Sequence, residues 1–265
     1  MSSGKGPIRP LRPGAFTLIE LLVVIAIISL LMAVLVPSLR AARRLTQRVT
    51  CGAKLQQITM AWHMYFDDYD GRFYKGVNAN LKYGGWIGAY DWWPRPLNPY
   101  LNMPVKIEDP EETQVFQCPA DRGGAPGQFV RRKVYTLMGN CYGTNVFLIG
   151  QNANGQFSVR TKALDEALDR RNSSLSITQV SSPARLLLLG DYGWFNQWKP
   201  DPPDREAQEL AEWHGRDHTF NLAYLDGHIE FLEIQRGYYI TDEYTVVPFK
   251  DLYGLAQESQ GAEEP

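Results

Sequence analysis

The sequence predicts an α+β chain in which one long N-terminal helix, its front half a membrane span, packs on an antiparallel-sheet globular domain. Three observations carry that expectation. A single apolar run of 19 residues, Leu18 to Val36, is long enough at about 1.5 Å per residue to cross a hydrocarbon core of about 30 Å. Apolar residues continue at helical spacing well beyond it. Past residue 67, short apolar-aromatic runs alternate with Gly and Pro, which is the pattern of strands between turns.

Met1 to Ala15 holds Lys5, Arg9 and Arg12, four glycines and prolines from Gly6 to Pro13, and no acid. This reads as a leader peptide outside the fold. The apolar run that follows contains one acid, Glu20. An ionised carboxylate inside a span costs roughly 2.5–3.5 kcal/mol even on the lenient insertion scale, so it needs a partner. Beyond the run, Met32-Ala33-Val34-Leu35-Val36-Pro37-Ser38-Leu39-Arg40 reads as more helix rather than as a signal-peptidase site, so a cut is expected before the run.

Leu39, Ala42, Leu45, Val49, Ala53, Gln56, Met60 and Met64 recur three to four apart, which extends the helix from Phe16 to about Phe66. Pro37 removes one backbone donor within it. The bases Arg40, Arg43, Arg44 and Arg48 occupy the other faces and suit a solvated surface near lipid headgroups. Residues 67–250 form the expected globular domain, long enough for one core. Its strand candidates are Val134–Leu137, Val146–Ile149, Arg185–Leu189, Phe220–Leu225 and Ile229–Ile234. Ala163–Arg171 is read as a short helix and 251–265, acidic and without a base, as a disordered tail.

Formal net charge is −2. Removing Lys5, Arg9 and Arg12 with the leader leaves 24 basic against 29 acidic side chains, a net −5. No nucleic-acid partner is expected from that balance.

The residues Gly14-Ala15-Phe16-Thr17-Leu18-Ile19-Glu20-Leu21-Leu22-Val23-Val24-Ile25-Ala26-Ile27-Ile28 closely resemble the N-terminal signature of type IV prepilins and type II secretion pseudopilins. The resemblance implies cleavage between Ala15 and Phe16 by a prepilin peptidase, N-methylation of Phe16, and retention of the helix as a filament core. Glu20 then becomes the fifth residue. Its carboxylate would pair with the new ammonium at Phe16 and set register during assembly. The family usually has Gly before the cut; here Ala15 stands there with Gly14 one position earlier, and a cut after Gly14 would make Glu20 the sixth residue. The bases after the span outnumber those before it, so a bare positive-inside count would turn the C-terminus to the cytoplasm. The signature implies the reverse: an inner-membrane anchor with a periplasmic or filament-borne domain.

Three further segments resemble the large pseudopilin-like family of planctomycetes and related bacteria. They are Cys51–Ile58 with Ala61–Tyr65 and Asp70–Phe73, Val115–Asp121, and Ser182–Asp191. That family's last mark is a His, nine residues, then Asp-Gly; here eleven residues separate His214 from Asp226-Gly227. The odd count of cysteines, Cys51, Cys118 and Cys141, permits one disulfide and one thiol, and spacing leaves the pairing open. The resemblance favours Cys51 with Cys118, which both lie in family-like segments, over Cys118 with Cys141.

Bland readings account for the remaining motifs. Asp226-Gly227 between two alternating runs suits a two-residue type I′ hairpin, pairing Tyr224 with Ile229, Leu222 with Phe231 and Leu225 with His228. His214 and His218 have the i, i+4 spacing of zinc ligands on a helix, but Gly215 between them disfavours helix and the Glu of His-Glu-x-x-His is missing. Asp67-Asp68-Tyr69-Asp70-Gly71 lacks the first ligand and the closing Glu of a calcium loop and reads as the turn ending the helix. No nucleophile elbow, phosphate loop or dinucleotide fingerprint appears. The expectation is a non-enzymatic subunit with no cofactor and no metal, whose partners are a prepilin peptidase, other pilin subunits and the inner membrane. The alternative is a membrane-anchored periplasmic module that binds glycan or protein through Trp86, Trp92, Trp93, Trp194 and Trp198 and uses the prepilin route only for export. Contiguous exposed Trp would favour it; buried Trp would not.

Overall fold

The computed structural model describes residues 17–75, 79–125, 127–149, 164, 166–168, 175–198 and 205–260. It divides into two compact units, one ending at Arg43 and one beginning at Arg44. Helix α1 runs Leu18–Asp68, 51 residues. It is the helix that the apolar run and its continuation predict. Pro37 lies inside it, and the Ser38 hydroxyl donates to the Leu35 carbonyl at 2.8 Å.

From Leu18 to Arg43 every side chain of α1 is exposed. In the second unit the helix buries Cys51, Leu55, Ile58, Thr59, Ala61, Trp62, Tyr65 and Phe66. This corrects the expected stripe. Leu45, Val49, Met60 and Met64 are more than half exposed, because the face that meets the core is the one carrying the aromatic residues. Trp62 has no exposed surface, and its ring packs at 5.4 Å from both Phe66 and Tyr83. Fully burying such rings dominates the core's hydrophobic gain. At its end the helix closes through the Gly71 N–H to the Phe66 carbonyl, 2.7 Å, a six-to-one bond of the kind that terminates helices. Asp67-Asp68-Tyr69-Asp70-Gly71 is that turn, held by the Ser176 hydroxyl donating to the Asp70 carbonyl and by Tyr100 donating to Asp68.

The sheet has four antiparallel strands in sequence order: β1 Tyr142–Thr144, β2 Leu187–Asp191, β3 Thr219–Tyr224 and β4 Ile229–Glu233. Both central strands are buried along their whole length, which explains why Leu187-Leu188-Leu189 does not alternate with polar residues. Within the second unit α1 comes close to β3 and β4 at Gly52, where an added Cβ would meet Asn221 at 3.6 Å and Ile229 at 3.9 Å.

Two runs expected as strands are helical turns, Val134–Met138 and Val146–Ile149. Their caps decide this. The buried Asp121 carboxylate accepts from the N–H groups of Val134 and Tyr135 at 3.0 and 2.9 Å, satisfying donors that a helix start leaves open. Asn145 does the same for Phe147 at 3.0 Å. Gly139 ends the first turn at φ +76°, its N–H donating to Tyr135. A side chain there would also strike the Trp86 carbonyl, with Cβ only 1.8 Å away.

The hairpin register differs from expectation by one residue. Leu222 opposes Glu230, Ala223 opposes Ile229, and the Tyr224 N–H donates to the His228 carbonyl. Leu225-Asp226-Gly227 is therefore a three-residue loop in which Gly227 alone takes a positive φ, +100°. A tight turn followed by one left-handed residue is the next commonest hairpin after the two-residue form.

Residues 251–260, expected to be disordered, are folded. Lys250–Leu252 and Tyr253–Glu258 are helical, Leu252 and Ala256 are buried, and the Gln260 side chain accepts from the Ile240 N–H. Their i, i+4 apolar spacing docks them on the core despite the acidic composition. Residues 261–265 and most of Ala163–Arg171 lie outside the described residues.

Candidate functional site: the helix start and the buried staple

Ala15 and Phe16 also lie outside the described residues, which begin at Thr17. Glu20 sits in the first turn of α1. Its Oε2 accepts from the Thr17 N–H and hydroxyl, both at 2.8 Å, while the Glu20 N–H donates to Thr17 Oγ1 at 3.2 Å. This reciprocal arrangement is a capping box. It gives Glu20 a partner that charge reasoning missed, although Thr17-x-x-Glu20 before an apolar run is its sequence signature. The charge also lies where an acid suits the helix dipole.

The second concentration of chemistry is in the core. Cys51 of α1 and Cys118 form a disulfide with Cα atoms 5.4 Å apart and a sequence separation of 67. Lys54 lies one turn on and donates to the carbonyls of Gln114 and Gln117 at 2.6 and 2.9 Å. Beside the disulfide, His214 Nε2 is 3.2 Å from Asp191 Oδ2 and 3.8 Å from Cys118 Sγ. Both side chains are 1% exposed. Asn221 holds the carboxylate, with its backbone N–H and Nδ2 donating to Asp191 Oδ2 at 2.8 and 3.0 Å.

The third cysteine, Cys141, is a buried thiol that donates to Asp121 Oδ2 at 3.4 Å. Burial, with the Asp121 charge beside it, pushes this thiol well up, so it stays protonated and a poor nucleophile.

His214, His218 and His228 do not form one centre. His214 pairs with Asp191, His218 Nδ1 with Glu212 at 3.1 Å, and His228 Nδ1 with Asp226 at 2.6 Å. Residues 212–218 are turn and irregular backbone, with His218 at φ +53°, so the i, i+4 spacing of His214 and His218 has no helix to act on. The tryptophans are mostly core. Trp62, Trp194, Trp198 and Trp213 are buried. Trp194 donates to the Gly143 carbonyl and Trp198 to that of Tyr238, both at 2.8 Å. Trp93 is 54% exposed, next to the stacked pair Tyr90 and Trp92.

Arg95 was not singled out from sequence. It is fully buried and donates to the carbonyls of Leu81, Gly84 and Met138 at 2.7–3.0 Å. Burial pulls its guanidinium down to about 10. It ties loops together through carbonyls instead of a carboxylate.

Residues 12–36 match the family described as the prokaryotic N-terminal methylation motif. The chain carries this prepilin-type motif. It takes in the exposed apolar front of α1, so the methylation motif overlaps the only described helix long and apolar enough to cross a membrane. A long N-terminal helix followed by an α+β domain fits a pilin-like architecture. No curated protein and no solved structure matches the chain.

Proposed function

We propose that the chain is a pilin-like structural subunit, not an enzyme: cut between Ala15 and Phe16 by a prepilin peptidase, N-methylated at Phe16, and assembled with other pilin subunits. The product would be a type II secretion pseudopilus or a type IV pilus-like filament. The observation that carries the reading is the methylation motif on a helix whose first 26 described residues, Leu18 to Arg43, bury nothing. Such a surface requires a bilayer or neighbouring helices. The exposed Leu45, Val49, Met60 and Met64 give the rest of α1 an apolar stripe to offer to other subunits. In this reading the span lies in the inner membrane with the second unit in the periplasm, where a disulfide persists.

The test is intact mass and N-terminal sequencing of the chain coexpressed with a prepilin peptidase, beside a peptidase-free control and Glu20→Ala. A chain beginning at N-methyl-Phe16 only in the presence of the peptidase is the expected result. A leader retained throughout would sink the reading. The patch of Tyr90, Trp92 and Trp93 supports a second reading, an anchored glycan- or protein-binding module, for which normal processing without filaments would be the outcome.

A further inference from the structure

A disulfide packed in an apolar core needs no polar company, yet this one has a buried histidine and a buried aspartate against it. Cys51, Cys118, Asp191 and His214 come from four separate segments: α1, the stretch after Pro110–Phe116, the end of β2, and the turn before β3. One donor atom from each lies within 4.8 Å of all the others, and all four residues are buried. Burying an ionisable pair costs stability unless its remaining donors and acceptors are satisfied. Here they are not: His214 Nδ1 and Asp191 Oδ1 are both buried without a hydrogen-bond partner.

We propose that the dithiol form of the chain binds one zinc-class divalent ion through Cys51 Sγ, Cys118 Sγ, His214 and Asp191, so that the disulfide and the metal are alternative closures of one staple. Ligand atoms around a tetrahedral zinc ion stand about 3.3–3.8 Å apart, given metal–ligand bonds of about 2.0–2.3 Å. His214 Nε2 already stands 3.2 Å from the carboxylate and 3.8 Å from Cys118 Sγ. Two thiolates with an imidazole select a borderline or soft ion and disfavour calcium or magnesium. Asn221, bonded twice to Asp191 Oδ2, is placed as the outer partner that fixes the carboxylate's orientation.

The redox bookkeeping closes with a dithiol-class reductant. It transfers two electrons and two protons to the Cys51–Cys118 bond, which breaks to two thiols while the reductant becomes a disulfide. Zinc then displaces both thiol protons to solvent. In the reverse direction a disulfide-class oxidant takes two electrons from the thiolates, the sulfur–sulfur bond re-forms, and the ion leaves. A newly made chain has reduced thiols, so the metal form would precede the disulfide.

The experiment uses the full chain in detergent, reduced by a phosphine without oxygen, desalted after zinc addition, and analysed for metal by mass spectrometry against the oxidised chain. One zinc per reduced chain and none per oxidised chain is expected. Cobalt in place of zinc should give the near-ultraviolet charge-transfer band of thiolate ligation. Cys51→Ser should abolish that band, His214→Ala should weaken zinc at least tenfold against a chromophoric chelator, and Cys141→Ser should change neither. Reduced, folded chain that retains no more zinc than oxidised chain would overturn the proposal, as would undiminished binding in Cys51→Ser. If reduction unfolds the chain, recovery of near-ultraviolet circular dichroism on adding zinc supports the site, and failure to recover overturns it. None of these readouts depends on processing or on filament assembly.

Discussion

The two halves of α1 obey different rules although one helix contains both. From Leu18 to Arg43 the apolar residues surround the helix and none is buried. From Arg44 to Asp68 only one face is covered, and that face carries Cys51, Leu55, Ile58, Trp62, Tyr65 and Phe66. An all-round apolar surface answers to lipid or to other helices, and a one-sided one answers to a domain core. Substitutions in the two halves should therefore be read by different assays.

Trp62→Ala should break the comparison hardest. It should cost the second unit about 3–5 kcal/mol, while Ile27→Ala, in the front half, should leave the domain's denaturation midpoint unchanged. Cys51→Ala should lower stability by about 4 kcal/mol through the loss of a loop closure of 67 residues. Denaturant titration of the full chain in detergent reads both. Ile28→Arg should act in the opposite sense. It costs membrane insertion about 2.5–3.5 kcal/mol, read as loss from the membrane fraction, with no effect on the domain.

Alkaline titration sharpens the contrast, because tyrosines occur only from Tyr65 onward. Burial raises Tyr65 and Tyr135 from the ordinary 10 to about 12, and raises Tyr83, Tyr142, Tyr192, Tyr224 and Tyr244 as well. Above pH 10 the unfolded chain loses protons that the folded chain keeps. Stability is then full below 10 and falls as pH rises through it, which denaturation midpoints measured from neutral to strongly alkaline pH would show. The smallest expected effect on stability is that of Met60→Ser with Met64→Ser. It should change the domain by less than about 0.5 kcal/mol yet reduce filament yield on coexpression.

The sequence made α1 and its apolar front legible because length and apolar content there outweigh every competing signal. It did not show which stripe of the back half turns inward. Leu45, Val49, Met60 and Met64 make as good a helical period as Leu55, Ile58, Trp62 and Phe66, and only the partner surface chooses. Val134–Leu137 and Val146–Ile149 are too short to display a period. The cap that makes the first helical is Asp121, 13 residues upstream of Val134, beyond any local reading. The pairing of His214 with Asp191 is likewise non-local. The capping box at Thr17 was in plain view, and the hairpin was found with the wrong loop length because Asp-Gly serves both two- and three-residue loops.

The Cys51–Cys118 bond has a mechanical consequence. Tension applied to the front of α1 reaches Cys51 along the helix and passes there into a covalent link, so the load path bypasses every residue from Gly52 to Gln117. At about 3.4 Å per extended residue, roughly 230 Å of chain is withheld from stretching while the bond holds. In a filament of such subunits, that segment would lengthen under tension only where the cysteines had been reduced.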